Sequence, residues 1–245
     1  MNGLPEVKSW LLDKYDNLPD WLPYAAGGIG LGMVLAGIVL RSKSRCPMSG
    51  PAKIGDYAAL VAKSGFDPLV LKAIMTIEAG GKPFGPDGRV IIRFENHKFW
   101  AFWGKDNSIF NSYFKFSSPQ HTGHYVNLGD GWQTFHGDQS MEWRTLKLAA
   151  SLGGDAAYRS ASYGIGQIMG FNFKEAGYVS AEQMLGAFCG NQEEQKVAMV
   201  RFILADSRKA NAVRNKDFAT FGLLYNGDHT GKYASRMETA YNQYV

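Results

Sequence analysis

Cysteine is scarce in this chain of 245 residues: Cys46 and Cys189 are the whole supply. There is no CxxC pair and no Cys/His spacing of the kind that holds zinc. The expectation is two unpaired thiols. A disulfide, within the chain or between chains, is the alternative in an oxidising compartment. No block of basic residues is present either, so nothing suggests a nucleic-acid partner. The five histidines are scattered. His121 and His124 stand three apart in a Gly/Ser-rich stretch and are not read as a metal site. No cofactor and no metal are expected. What the chain does carry is a mild excess of cations, 26 Lys and Arg against 22 Asp and Glu. A net charge of +4 suits an anionic partner such as a wall or a lipid surface without demanding one.

Charge is absent altogether from residues 21–40. A helix of that length spans about 30 Å, the thickness of a bilayer core. Trp10, Trp21 and Tyr24 precede it, and Arg41, Lys43 and Arg45 close it. Residues 21–41 are therefore expected to form a transmembrane helix, with the lipid bilayer as partner. Gly28 and Gly32 are spaced to pack a second helix closely. Ahead of it, Leu4, Val7, Leu11, Tyr15, Leu18 and Leu22 recur every three or four residues. Residues 1–20 thus read as an amphipathic segment lying on the membrane. A cleavable signal peptide fits poorly, because the start is acidic and the apolar stretch is late. By the positive-inside rule the cationic flank points the rest of the chain into the cytoplasm; an overridden rule, or insertion from another compartment, gives the opposite orientation, and the topology stays open. Residues 42–54, with Ser, Pro and Gly, read as a linker, and residues 55–245 as the globular domain.

Within that domain the clearest local signal is a short helix. Asp67 is placed to cap it, Pro68 fits its first turn, and Leu69, Val70, Ala73, Ile74 and Ile77 form its apolar side. Ala79-Gly80-Gly81 stops it directly after Glu78. A carboxyl group on a rigid element with apolar neighbours has a raised pKa and keeps its proton, the condition a general acid needs. Residues 89–95 are the best strand candidate, and residues 104–138 read as irregular structure or a substrate-lining insertion. Helical patterns return at 142–152, 180–188, 191–206, 216–225 and 233–243, with Asp217 placed to start the fourth. The fold class expected is α+β, mainly α.

Three segments extend the reading. Glu78-Ala79-Gly80, Ser160 through Gly170 with its Gly164-Ile165-Gly166-Gln167-Ile168-Met169 centre, and Phe221 through Gly227 occur in that order. Together they resemble the catalytic corner, groove signature and Tyr-Asn-Ala-Gly motif of goose-type lysozymes and soluble lytic transglycosylases. In this chain Asn226 is followed directly by Gly227. A fuller similarity is to a family of phage and prophage N-acetylmuramidases, the catalytic parts of endolysins. It includes Arg93 through Phe99, Glu142-Trp143-Arg144, Ser160 through Asn172, Asp217 through Gly227, and Ala240-Tyr241. The resemblance covers roughly residues 55–244, without that family's N-terminal wall-binding module.

The resemblance implies a lysozyme-like domain that cleaves the β-1,4 bond between N-acetylmuramic acid and N-acetylglucosamine, with a peptidoglycan glycan strand as partner. Glu78 would protonate the glycosidic oxygen. Glu95 is the candidate second carboxylate, as base or nucleophile, with a structural ion pair to Arg93 or His97 as the competing reading. His97, Ser162, Tyr163, Gly164, Gln167, Tyr225 and Asn226 are assigned to the substrate groove. Aromatic faces pack on sugars, amides bond N-acetyl groups, and glycines at 164 and 166 admit close approach. Lytic transglycosylation, in which the muramic 6-hydroxyl attacks and leaves a 1,6-anhydro end, is the alternative chemistry. A glycan-binding protein without catalysis is the alternative class. The expected setting is the envelope of an infected bacterium or a phage particle.

Overall fold

The computed structural model describes residues 55–117 and 122–245. The readings for residues 1–20, 21–41 and 42–54 lie outside the described residues. Among those described, no helix is long and apolar enough to cross a membrane. Cys189 is disulfide-bonded, contrary to the expectation of an unpaired thiol; Cys46 lies outside the described residues.

The domain opens with α1 (Tyr57–Ser64) and α2 (Pro68–Ala79). α2 forms for local reasons. The Asp67 carboxylate accepts from the Leu69 amide at 2.9 Å, Pro68 occupies the first turn, and Gly80 turns out of the helix at φ 59°. Its inner face, Val70, Leu71, Ala73 and Ile74, is wholly buried. That face packs against the last helix, α11 (Lys232–Asn242), which buries Tyr233, Met237 and Ala240.

A three-stranded antiparallel sheet follows. β1 (Ile92–Phe94) pairs with β5 (Ala161–Tyr163), and β5 with β6 (Ile168–Met169). The register sets Arg93 beside Ser162 and Ser162 beside Met169. Ile92, Tyr163 and Ile168 align one residue along. Because side chains alternate across a sheet, the first trio shares one face and the second the other. The first faces a cleft and the second the core, with Ile92, Tyr163 and Ile168 all buried. The strand expected over 89–95 is thus confined to Ile92–Phe94, in its second half. Arg89 is held instead in the preceding turn, where its amide and Nε both donate to Asp87.

Between the sheet's strands lie α3 (Asn96–Phe102), a short 3-10 turn, and α4 (Phe110–Tyr113). A second antiparallel sheet then forms from β2 (Phe114–Ser117), β3 (Thr122–Asn127) and β4 (Trp132–Thr134). The irregular structure expected over 104–138 is therefore largely a folded hairpin pair. Its inward positions include His124, so the alternation of apolar residues is interrupted where a buried histidine stands. α5 (Gln139–Gly153) and α6 (Asp155–Arg159) lead back to β5.

The remaining helices are α7 (Ala181–Phe188), α8 (Gln192–Leu204), α9 (Ser207–Asn215) and α10 (Phe218–Asn226). Caps define each start: Ser180, Asn191, Asp206 and Asp217 accept from amides two or three residues on. α9 was not anticipated, because it is mostly polar and buries only Lys209, Ala210, Ala212 and Val213.

The 3-10 turn Gly170–Asn172 carries two cleft residues and rests on α6 through close backbone contact. A Cβ at Gly170 would collide with the Tyr158 carbonyl, which cannot swing aside as a side chain can. Gly170→Ala is expected to lose about 2 kcal/mol or more of unfolding free energy. An unchanged urea midpoint would show that this contact does not constrain the turn.

Candidate active site

Seven of the nine sequence-assigned residues converge on one cleft of 1260 Å³: Glu78, Glu95, His97, Ser162, Gln167, Tyr225 and Asn226. Tyr163 and Gly164 do not line it. Tyr163 is fully buried and its hydroxyl donates to the Tyr158 carbonyl, so it is a core residue. The pleat is the reason, since Ser162 already takes the cleft side of β5. Gly164 is small for packing, because a Cβ there would meet the Gln195 amide. Gly166 likewise admits Met199 and the Tyr225 hydroxyl. Neither glycine lines the cleft.

Glu78 stands in the last turn of α2. Its Oε1 accepts from the Tyr233 hydroxyl at 2.6 Å. Arg236 of α11 donates to the Ile77 carbonyl, beside it. Burial pushes the Glu78 carboxyl up from 4.5 to about 7, against the opposing effects of the Tyr233 bond and the Arg236 charge. The helix C-terminus, whose carbonyls carry partial negative charge, disfavours the anion further. Near neutral pH the group therefore exists as both acid and anion. Tyr233 and Arg236 escaped the sequence reading; no motif marks them, and only the packing of α11 on α2 brings them to Glu78.

Glu95 lies in a different environment. Its Oε1 accepts from Arg93 Nε at 2.9 Å. Its Oε2 lies 3.3 Å from His124 Nε2 and 3.4 Å from His97 Nδ1. His124 is nearly fully buried, and its Nδ1 accepts from the Asn96 amide at 3.0 Å. That bond leaves the ring proton on Nε2, pointing at Glu95. Behind it, His136 Nδ1 meets Glu142 Oε1 at 2.8 Å, while Glu142 Oε2 accepts from the Phe94 amide. Burial pushes Glu142 up to about 8 and His136 down to about 4. Both shifts favour a neutral pair sharing one proton.

Glu95, His124 and His136 offer ligand atoms within 4.8 Å of one another, as a metal site would. A cation there would need the lone pair of His124 Nε2, and the Asn96 bond assigns that atom the proton. The donor set fits a clamp on Glu95 better than a metal centre.

The other wall is built by hydrogen bonds within the protein. Ser162 Oγ donates to Gln167 Oε1 at 2.8 Å, and Gln167 Nε2 donates to the Gly164 carbonyl at 2.9 Å. These bonds hold Gln167 at φ 44°, a conformation that costs a non-glycine residue about 1 kcal/mol or more. Gln167 thus shapes the wall with an amide already committed. Tyr225 is similar: its hydroxyl donates to the Gly166 carbonyl at 2.7 Å, and its ring packs on Phe221 and Phe202. Asn226, the last residue of α10, remains exposed at the cleft.

Two carboxyl groups on one cleft, one raised in pKa by burial and one beside Arg93, His97 and His124, are an arrangement that glycoside-cleaving sites of the lysozyme kind can use. Comparison with known proteins gives the same class. The N-acetylmuramidase family profile matches residues 67–245. Among solved structures, the endolysin of the Burkholderia phage AP3 is similar. It is 27% identical, with a TM-score of 0.59 over 77% of this chain and 68% of that one. No curated protein matches significantly. The chain belongs to the N-acetylmuramidase family and is a peptidoglycan-cleaving muramidase with a mainly helical α+β fold.

The raised Glu78 pKa sets a stability test. The folded protein keeps a proton that the unfolded chain releases above about pH 4.5, so the stabilising contribution is full below that pH. It is lost as pH rises through about 7. Gln cannot ionise and still offers an acceptor to Tyr233. The Tm difference between Glu78→Gln and wild type should therefore move in favour of the variant between pH 5 and pH 8. A difference independent of pH would contradict the shift.

Proposed function

We propose that Glu78 is the general acid for cleavage of the bond between N-acetylmuramic acid and N-acetylglucosamine. The observation that carries this reading is the Glu78 carboxyl itself, seated at the cleft on Tyr233, where burial raises its pKa to about 7. Protonation of the glycosidic oxygen lets the leaving sugar depart as an alcohol, and positive charge grows on the muramyl ring. Glu95, across the same cleft, faces that charge and orients the attacking water. Arg93, His97 and His124 hold its carboxylate in one orientation, which supports a positioned anion more than a mobile nucleophile.

That clamp also favours a second reading. With both Glu95 oxygens already engaged, the 6-hydroxyl of the muramic acid can serve as nucleophile, with Glu78 accepting its proton. The product would then be a 1,6-anhydro end. Mass spectrometry of released muropeptides separates the two: reducing ends support hydrolysis, and anhydro ends transfer the assignment to transglycosylation. We place the activity in the envelope of an infected bacterium, during lysis or at penetration by a phage particle. Fractionating lysed cells and purified particles tests that placement.

Glu78→Gln should lower the rate of wall lysis by about 10²-fold to 10⁴-fold while circular dichroism stays unchanged. Full lysis by this variant would overturn the assignment. In the wild type, kcat/KM should fall as pH rises through about 7, because the acid form is being lost. Glu95→Gln should lower kcat about tenfold or more with KM little altered. Unaltered kcat with a lowered Tm would reduce Glu95 to a structural ion pair.

A further inference from the structure

The cleft does not end at its lip. Lys98 and Phe171 both line it, and Lys98 Nζ lies 5.6 Å from the centre of the Phe171 ring. Beyond them the same pattern continues outward. The Phe171 ring is 6.1 Å from that of Phe102, and the Arg159 guanidinium lies 4.3 Å over the Phe102 ring. Lys98 and Phe102 are four residues apart on α3 and so share one helical face. The result is a row of cation, ring, ring and cation that starts in the cleft and finishes on the open surface.

Phe102 is 36% exposed, among the few large apolar residues of the domain that stand out in water. Nothing in the fold needs an exposed phenylalanine there. Core closure around α3 is already supplied by buried Phe99, which stacks on Trp103. Arg159 has a side chain 38% exposed, and its carboxylate neighbour, Asp155, stands at a loose 3.9 Å. Such an exposed pair contributes little, and it leaves the guanidinium charge to meet another anion.

We propose that Phe102 and Arg159 form an outer subsite for the peptidoglycan strand, next to the Phe171 end of the cleft. This rests on the muramidase reading and deepens it. The occupant is the glycan beyond the cleaved disaccharide. One sugar face packs on the Phe102 ring, and a carboxylate of the muramyl peptide stem meets Arg159. The aromatic row is continuous with the cleft, and its cations match the acidic stems of the polymer. Sugar C–H groups pack on aromatic faces, and the planar guanidinium recognises carboxylates in a fork geometry.

The test uses the full chain carrying Glu78→Gln, so that sacculi survive the binding assay. Phe102→Ala should weaken binding to intact sacculi about 3-fold to 10-fold, the range a lost ring contact supplies. Phe102→Trp should restore binding and Phe102→Leu should not. Arg159→Gln should weaken binding to intact sacculi and leave binding to glycan stripped of its peptides unchanged. With Glu78 intact, kcat/KM of Phe102→Ala on short soluble glycan oligomers should equal that of the wild type.

Unchanged sacculus binding by Phe102→Ala overturns the proposal. So does an equal loss on short oligomers, which would place Phe102 within the cleft. Retained sacculus binding with lost binding to anionic vesicles would assign the row to lipid instead. The binding ratio does not depend on cleavage. Failure of the Glu78 assignment would appear separately, as lysis of the sacculi by the Glu78→Gln protein.

Discussion

The exit of β1 is where the domain is tied together. Phe94, Glu95 and Asn96 are consecutive, and all three are fastened to elements outside β1. The Phe94 amide donates to Glu142 of α5, Glu95 meets His124 of β3, and the Asn96 amide returns to the same histidine. The Asn96 side chain adds two bonds, to the carbonyls of Lys115 and Tyr125 in the second sheet. Both Asn96 and Glu142 are almost wholly buried. Polar groups in such a place are costly unless their partners are present, so the two sheets and α5 are held in one relative arrangement. An apolar interface would allow sliding; this one does not, and Glu95 inherits its rigidity.

The two cleft carboxyl groups therefore owe their properties to opposite halves of the molecule. The helical half presents Glu78 on α2, backed by α11, and withholds solvent from it. The sheet half presents Glu95 and surrounds it with donors. A helix C-terminus is a poor place for an anion, and the protein uses that disadvantage to keep a proton on Glu78. The same burial lowers stability as pH rises through about 7. Tyr233 opposes the effect: its hydroxyl donates to the carboxylate and so stabilises the anion once the proton has left.

How much of this was legible in the sequence depended on whether the signal was local. The Asp67 cap, Pro68 and the Gly80 stop are local, and α2 formed as they indicate. The long helices near the C-terminus followed from their apolar spacing to within a few residues. The 114–134 hairpins did not, because the buried histidine at 124 reads as polar in any periodicity. α9 was hidden for the converse reason: its buried positions are alanines, a valine and the stem of Lys209, whose ammonium lies over the Phe202 ring. In the groove motif, Ser162 and Tyr163 are neighbours of equal promise in sequence. Only the register of β5 against β1 decides that the serine meets the cleft and the tyrosine the core.

That last point bears on what a motif records. In Ser160 through Gly170, the tyrosine, the glycines and the glutamine are each explained by contacts inside the protein: Tyr163 with Tyr158, Gly164 with Gln195, Gly166 with Tyr225, Gln167 with Ser162. The segment is a folded wall of the cleft, most of whose motif residues are committed to contacts inside the protein. Recognition by such a wall is set by backbone position and by the few side chains that the pleat turns outward. The two cleft carboxyl groups and Asn226 come from the edges of the motifs, where Glu78 lies in the last turn of a helix, Glu95 precedes one, and Asn226 ends another. Each stands where regular structure stops. Backbone hydrogen bonding is incomplete at such places, so a side chain there can face solvent while its backbone is held by the element behind it.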